Sequence, residues 1–232
     1  MAVIEGATSA ELAEVGAAAA KPLHVTGRPI PYGTLGHYAV SARTGSIAAG
    51  MAANGQIFHA RWTDATRFAV IYEIWIDEFD NTTAFTAGRF QFALDRARSW
   101  TADGSGGTAL TLTGDNAQMR TDMGASLFGA IRIATTAALG AGTSTFDANP
   151  IKTIGGRVGA IANKHIIPQS PVVTTQEVAS GIGVPLFVLT DGGMRHPIVL
   201  AQNEGIAIRG TVPATGVWSA TVSMYWAEVT AY

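Results

Sequence analysis

The last third of the chain alternates apolar and polar residues along short runs separated by turn sequences, and this pattern constrains the fold more than any other feature. Every second residue from Trp218 to Trp226 is apolar, and a strand places alternate side chains on opposite faces. Turns are expected at Asp191–Gly193, Asn203–Gly205 and Pro213–Gly216. Turns this close together leave no room for helical crossovers. The pattern predicts an antiparallel meander in which Trp218 and Trp226 face the core.

The same period recurs earlier in the chain. In the segment Phe68–Asp77 it places Phe68, Val70, Tyr72, Ile74 and Ile76 on one face. Further strands are predicted at Phe85–Leu94, Thr108–Thr113, Ile131–Thr136, Pro185–Thr190, His196–Leu200 and Gly205–Val212. Short strands with regular turn signals predict an all-β fold, an antiparallel two-sheet sandwich of the jelly-roll type.

Two segments interrupt this pattern. Residues Gly140–Gly159 are rich in Gly, Thr and Ser, which predicts a long surface loop. In residues 160–183, Pro168 and Pro171 break any regular element, and Thr174–Ser180 is long enough for one helical turn.

The N-terminal segment differs from the rest. Ser9–Val15 offers a capping residue followed by good helix formers, and Pro22 ends that helix. Prolines in Gly27–Gly33 force an extended path. We therefore predict an N-terminal arm over residues 1–50, a short helix followed by an extended Pro/Gly-rich stretch, and a β-sandwich domain over residues 51–232. The arm lies on a neighbouring subunit or folds back on its own domain.

The segment also lacks the features of targeting sequences. Glu5, Glu11 and Glu14 occupy positions that are basic and then apolar in a secretory leader. No apolar run is long enough for a membrane-spanning helix. We expect synthesis in the host cytoplasm without export, and no membrane association.

Charged residues make up only 14% of the chain, against about 25% in ordinary soluble domains. Because obligate interfaces are depleted in Lys, Glu and Asp, this predicts that much of the surface is buried against other subunits. The alternative is a compact monomer with a Thr/Ser-rich β surface. The basic residues are scattered, and Asp95 interrupts the longest grouping, Arg89, Arg96 and Arg98. We expect no nucleic-acid binding.

The sequence predicts no catalytic, cofactor-binding or metal-binding residues and no cofactor. The chain has no cysteine, which excludes disulfides and thiolate metal sites. No two of the histidines, His24, His37, His59, His165 and His196, have the short spacing of ligands on one helix face. The acidic run Asp77–Asn81 has oxygen ligands suited to Ca²⁺, but a turn is the favoured interpretation.

Two further kinds of site are considered, a phosphate-binding loop in the glycine-rich segments and a sugar-stacking surface formed by the tryptophans. Gly104–Gly107, Gly140–Gly142 and Gly155–Arg157 lack the lysine and the helix of a phosphate-binding loop, and we interpret them as hairpins and loops. The tryptophans suggest a sugar-stacking surface. Core packing is the better account of Trp218 and Trp226.

Several segments resemble a known class of proteins. They are Gly45–Asn54, which leads into Ile57–Trp62, and then Gly205–Gly210, Thr215–Trp218 and Trp226–Val229. These segments are similar to small β-rich virion structural proteins of tailed bacteriophages. The resemblance spans most of residues 23–229 and consists of patterning and favoured dipeptides. It implies a head decoration, cement or tail component, and it carries over no functional residues.

Together these features predict a non-enzymatic virion structural protein, a capsid decoration or cement protein. The expected partners are other copies of the chain, as a trimer or higher homo-oligomer, and the major capsid protein or another virion protein. One alternative is a tail, fibre or spike component that contacts the host surface through loops such as 140–159. Another is a glycan hydrolase whose carboxylates are brought together by the fold.

Overall fold

The computed structural model describes residues 3–5, 12–14, 36–48, 51, 53–160, 162, 164–165, 184–189 and 196–232. The chain divides into two compact units, Met1–Pro31 and Tyr32–Tyr232. The predicted helical turn within Thr174–Ser180 lies outside the described residues.

The first unit contains a small antiparallel ladder. Strand β1 (Val3–Glu5) pairs with β2 (Leu12–Glu14), so that Ile4 lies opposite Ala13. The helix predicted over Ser9–Val15 is therefore wrong at Leu12–Glu14. A helix of two turns pays its nucleation cost for few hydrogen bonds, whereas the β-branched residues of β1 give this segment a pairing partner.

In the second unit the described residues form fourteen strands. They are β3 (Gly36–Arg43), β4 (Ile47–Ala48), β5 (Gly55–Trp62), β6 (Phe68–Thr83), β7 (Gly88–Arg98), β8 (Thr108–Ala109), β9 (Phe128–Ile133), β10 (Thr145–Phe146), β11 (Lys152–Val158), β12 (Lys164–His165), β13 (Val184–Val188), β14 (Ile198–Leu200), β15 (Gly205–Thr211) and β16 (Val217–Val229).

These strands form two antiparallel sheets. In sheet I the order is β12-β6-β16-β3, with β13 and β14 also paired to β6 and β4 to β16. In sheet II the order is β10-β7-β15-β5-β9-β8, with β11 also paired to β7. The apolar side chains between the sheets form one core, which confirms the predicted all-β sandwich.

The order of pairing is that of a jelly roll. The first strands of the sandwich alternate between the two sheets: β3 and β6 lie in sheet I, and β5 and β7 lie in sheet II. The returning strands pair with them in reverse order: β11 with β7, β13 and β14 with β6, β15 with β5, and β16 with β3. This double winding confirms the predicted jelly roll. The meander predicted for the last third is wrong, because β14, β15 and β16 cross between sheets instead of pairing with one another.

Strand β16 follows the predicted alternation, but β6 does not. Trp218, Ala220, Val222, Met224 and Trp226 all lie in the core, as predicted. The core positions of β6 are instead Ala69, Ile71, Ile74, Ile76 and Phe79. The register between β6 and β16 shifts three times. A bulge inserts one extra residue and moves the following side chains to the opposite face.

Three further expectations differ from the structure. The predicted domain boundary at residue 50 is too late, because β3 and β4 pair with β16 and bury Tyr38 and Ile47 in the sandwich. The predicted loop at 140–159 contains β10 and β11, and β11 pairs along its full length with β7. The strand predicted over Thr108–Thr113 is formed only at its first two residues.

Candidate functional site

Two connections that are distant in sequence cover the outer face of sheet II. They are residues 99–107, after β7, and residues 135–147, after β9, which end in the edge strand β10; we call the pair the lid. Gly140 N–H donates to Ser105 O at 2.9 Å and joins the two segments. Trp100 N–H donates to Asn203 O at 2.8 Å, in the turn before β15, and Leu139 N–H donates to Gln56 O of β5 at 2.9 Å. These bonds attach the lid to sheet II and to the turn at its end.

A buried ion pair lies under the lid. The side chain of Asp95 is fully buried, and Arg209 donates to its two oxygens from Nε at 2.8 Å and from Nη2 at 2.6 Å. The guanidinium carbon of Arg209 lies 4.8 Å from the centre of the Phe146 ring, which belongs to the lid. The bidentate geometry and the ring over the cation compensate for the cost of burying Asp95 fully and Arg209, whose side chain is 24% exposed, in part.

An imidazole is enclosed beside this pair. His59 is 1% exposed, its Nδ1 lies 3.1 Å from Gln56 Oε1, and its ring packs edge-on against Trp100. Its Nε2 has no hydrogen-bond partner among the described residues. Burial, reinforced by the positive charge of Arg132, lowers the pKa of His59 to about 4. The ring is therefore neutral at physiological pH and serves as packing under the lid.

The outward surface of the lid carries almost no free charge. Its only charged residues are Asp103 and Asp147. Asp103 pairs with Arg61, and Asp147 pairs with Arg96 and Arg98. The hydrogen bond from Arg98 is the main reason that the pKa of Asp147 is lowered. The exposed lid residues are otherwise small or hydroxylated: Ser99, Thr101, Ala102, Ser105, Gly106, Thr136, Ala137, Gly142, Thr143 and Thr145.

The outer face of sheet I is chemically different. One row across the strands carries Ser41, Ser223 and Trp75, and the next carries Arg43, Thr221 and Glu78. We call the following residues the polar face: Ser41, Arg43, Glu73, Trp75, Asp77, Glu78, Asp80, Thr221 and Ser223. Of the five tryptophans, Trp62, Trp100, Trp218 and Trp226 are almost completely buried, whereas Trp75 is partly exposed.

Hydrogen bonds order the polar face. The indole N–H of Trp75 donates to Glu73 Oε2 at 3.0 Å. The Ser223 hydroxyl donates to Asp77 and lies 2.9 Å from the Ser41 hydroxyl. Thr221 donates to Glu78 Oε2 at 3.1 Å.

One guanidinium spans the carboxylates at the end of this face. Arg43 Nη2 donates to Asp80 Oδ2 at 2.8 Å, and Arg43 Nη1 lies 3.6 Å from Glu78 Oε2. The same guanidinium donates to the Ser219 hydroxyl at 2.9 Å from Nη2 and 3.2 Å from Nε.

The acidic run is thus part of a strand, and the turn predicted at Asp77–Asn81 is wrong. Residues 77–81 lie inside β6, with Phe79 in the core. The extended partner β16 supplies the hydrogen bonds that a turn would have made locally. No group of three or more His, Asp or Glu side chains that would hold a metal ion occurs in the described ranges.

The histidines do not converge among the described residues. His37 is buried on sheet I, and its ring lies 5.9 Å from that of Tyr72; burial lowers its pKa. His59 lies on sheet II. His196 is exposed and packs against Tyr232. His165 pairs through its backbone with Asp80, and His24 lies outside the described residues.

One buried carboxylate gave no signal in the sequence. Glu228 accepts hydrogen bonds from the Ser126 hydroxyl at 2.7 Å, the Leu127 N–H at 3.0 Å and the Trp226 indole at 3.2 Å. Burial raises its pKa, and these donors oppose the rise. The bonds from Ser126 and Leu127 anchor the end of the long connection before β9 to β16, which is a structural role.

The glycine-rich segments divide between lid and sheet. Gly104–Gly107 and Gly140–Gly142 lie in the lid, in agreement with the loop interpretation. Gly155–Arg157 lies in β11, so the loop interpretation is wrong there. The sequence of β11 does not alternate regularly between apolar and polar residues, and its pairing with β7 holds it in the strand conformation.

Comparison with protein-family models, with curated proteins and with solved structures gave no match to this chain. Within the described residues there is no helix of the length and apolarity needed to cross a membrane.

Proposed function

We propose that this protein is a non-enzymatic structural component of a virion, a capsid decoration or cement protein that assembles through the outward surface of the lid. One observation carries the proposal: both charged residues of the lid, Asp103 and Asp147, are neutralised within the subunit. When a partner covers a surface of this kind, no charged side chain is buried without a counter-ion. Jelly rolls recur in viral capsid proteins, and the fold of this chain is consistent with the proposal.

The chemistry of the lid defines the kind of contact. Among the described residues the exposed large apolar side chains are Met119, Ile151 and Tyr232, and none of them lies in the lid. We therefore expect the Thr, Ala and Gly residues of the lid to pack closely against a flat, uncharged partner surface. No large apolar side chain of the lid would insert into a pocket of the partner. Copies of the same chain and the major capsid protein are the partners we propose, with a trimer or higher oligomer on the particle.

Sedimentation velocity of the purified chain tests the proposal. We expect a trimer or larger species for the wild type and dissociation for Ala137→Glu, which places an unpaired charge on the lid. Ala87→Glu is the matched control, because Ala87 is exposed in the turn between β6 and β7, outside the lid. A wild type that stays monomeric at all concentrations, or equal effects of the two substitutions, would contradict assembly through the lid.

A tail, fibre or spike component that contacts the host surface is the second candidate. The partly exposed Trp75 on the polar face favours it, because tryptophan combines a large apolar surface with a polar N–H and is enriched at binding interfaces. The two candidates use different sheets and are therefore separable by substitution.

A further inference from the structure

The geometry points to a carbohydrate-binding site on the polar face of sheet I, centred on Trp75 and suited to a neutral pyranose glycan. The inference goes beyond attachment through the lid, since it concerns the other sheet and holds or fails independently of it. It gives the second candidate function a ligand class.

The indole of Trp75 is the stacking element. The other four tryptophans are at most 1% exposed, so this fold has room to bury indoles and leaves one partly accessible. Leaving part of a large aromatic ring accessible to water forgoes part of the stabilisation that full burial would give. The C–H groups on one face of a pyranose ring offer an apolar surface that matches an indole. Stacking of the two removes both surfaces from water.

Bonded neighbours fix the position of that indole. Glu73 accepts the indole N–H at 3.0 Å, and the residues Ser223 and Pro185 lie opposite Trp75 on the strands either side. A ring held in this way loses little further entropy when a ligand stacks on it, which favours binding. Tyr72 and Tyr225, whose ring centres are 6.3 Å apart, extend the aromatic surface along the same strands.

Hydroxyls and carboxylates beside the ring provide both hydrogen-bond donors and hydrogen-bond acceptors. Ser41 is exposed and touches the Ser223 hydroxyl, which in turn donates to Asp77. Carboxylate oxygens retain acceptor capacity after one such bond, and hydroxyls both donate and accept. Neighbouring hydroxyls of a sugar require this combination. From β3 across β16 to β6 the face spans about 10 Å at the usual strand spacing, enough for more than one sugar ring.

The charge of the face selects the class of sugar. Glu73 and Asp77 lie on either side of Trp75 in β6, and among the described residues no ion pair joins either carboxylate to a cation, whereas Glu78 and Asp80 pair with the guanidinium of Arg43. The excess negative charge repels uronic and sialic acids at short range. It leaves neutral hexoses and N-acetylhexosamines unaffected. A neutral glycan is therefore the ligand that fits.

Fluorescence and calorimetry on the full chain test this site. Malto-, cello-, chito- and galacto-oligosaccharides serve as neutral probes, and sialyllactose and oligogalacturonate as anionic ones. We expect at least one neutral series to bind and to protect the protein from acrylamide quenching, because Trp75 is the accessible indole. Trp75→Ala should weaken binding at least tenfold, and Trp75→Phe, which keeps a ring, should weaken it less.

The controls separate this inference from the proposed function. Circular dichroism establishes that each Trp75 variant is folded, and Ala137→Glu on the lid should leave sugar binding unchanged. The inference is overturned if no neutral probe binds the wild type, if binding survives in folded Trp75→Ala, or if the anionic probes bind more tightly. None of these outcomes bears on whether the lid drives assembly.

Discussion

At the scale of single residues, the enclosed imidazole of His59 makes stability depend on pH. Its pKa is about 4 in the folded chain and about 6.5 in an unfolded one. Between these values the unfolded chain binds the proton, so acidification favours unfolding. The effect is absent above about pH 7, grows as the pH falls and levels off below about pH 4.

We therefore predict that the wild type loses about 3 kcal/mol more than His59→Gln when the pH falls from 7 to 4. Comparing the two proteins cancels the contributions of the other acids and bases. Urea unfolding at a series of pH values measures the difference. Parallel pH profiles for the two proteins would show that His59 titrates normally in the folded chain.

A glycine beside this ring gives a second prediction at the same scale. A Cβ on Gly104 would collide with the imidazole of His59 and with the carbonyl oxygen of Gly140, because the two lid segments and the ring meet there. Gly104→Ala should cost about 1–3 kcal/mol, as overpacking of a filled site does. Gly124→Ala is the matched control, since a Cβ there meets nothing within 4 Å. Thermal unfolding distinguishes the two, and equal losses would contradict the tight contact.

At the scale of elements, β16 and β6 mark what the sequence does and does not reveal. The alternation in β16 predicts its core face from Trp218 to Trp226, because burial on one side of a strand imposes a period of two. In β6 the same logic fails at Tyr72 and Asp77, where the register against β16 shifts. A bulge depends on the partner strand, which the local sequence does not identify.

The candidate sites were hidden for a related reason. The lid joins residues 99–107 to residues 135–147, and only the closed sandwich places these segments together on sheet II. The alternation in the segment Phe68–Asp77 places Trp75 on the face opposite to Ile74 and Ile76, but it does not show whether that face is exposed. Ser223 and Ser41, which lie in the same row across the sheet and bond to each other, come from strands more than 140 and 30 residues away, and no spacing rule links them to β6.

The ion pair under the lid supports a prediction about the contact between β7 and β15. Arg209→Met leaves the Asp95 carboxylate buried without a counter-ion and should cost about 3–5 kcal/mol. Replacing both partners, Asp95→Leu with Arg209→Met, removes the buried charge altogether and should recover most of that loss. Chemical denaturation of the three proteins forms the cycle. A double variant no more stable than Arg209→Met would show that the pair contributes through packing with Phe146 instead.

At the scale of the whole molecule, the jelly roll presents two outer faces with opposite character. The lid over sheet II has its charges paired within the subunit, whereas the polar face of sheet I combines carboxylates with a partly exposed indole. The low charge of the chain is therefore unevenly distributed. The low charge of the composition predicts an association surface, and the proposal above assigns that role to the lid.

This asymmetry predicts how assembly responds to salt. Screening weakens interactions between exposed charges, with a Debye length that falls from about 30 Å at 0.01 M to about 3 Å at 1 M salt. Contacts made by Thr, Ala and Gly of the lid involve no such charges, so the oligomer should persist across that range when followed by sedimentation velocity. Contacts made through Glu73, Glu78 and Asp80 would instead weaken as salt neutralises their attraction for a basic partner. Dissociation at high salt would therefore transfer the assembly role from the lid to the polar face, and Glu78→Gln, not Ala137→Glu, would then be the substitution that disrupts it.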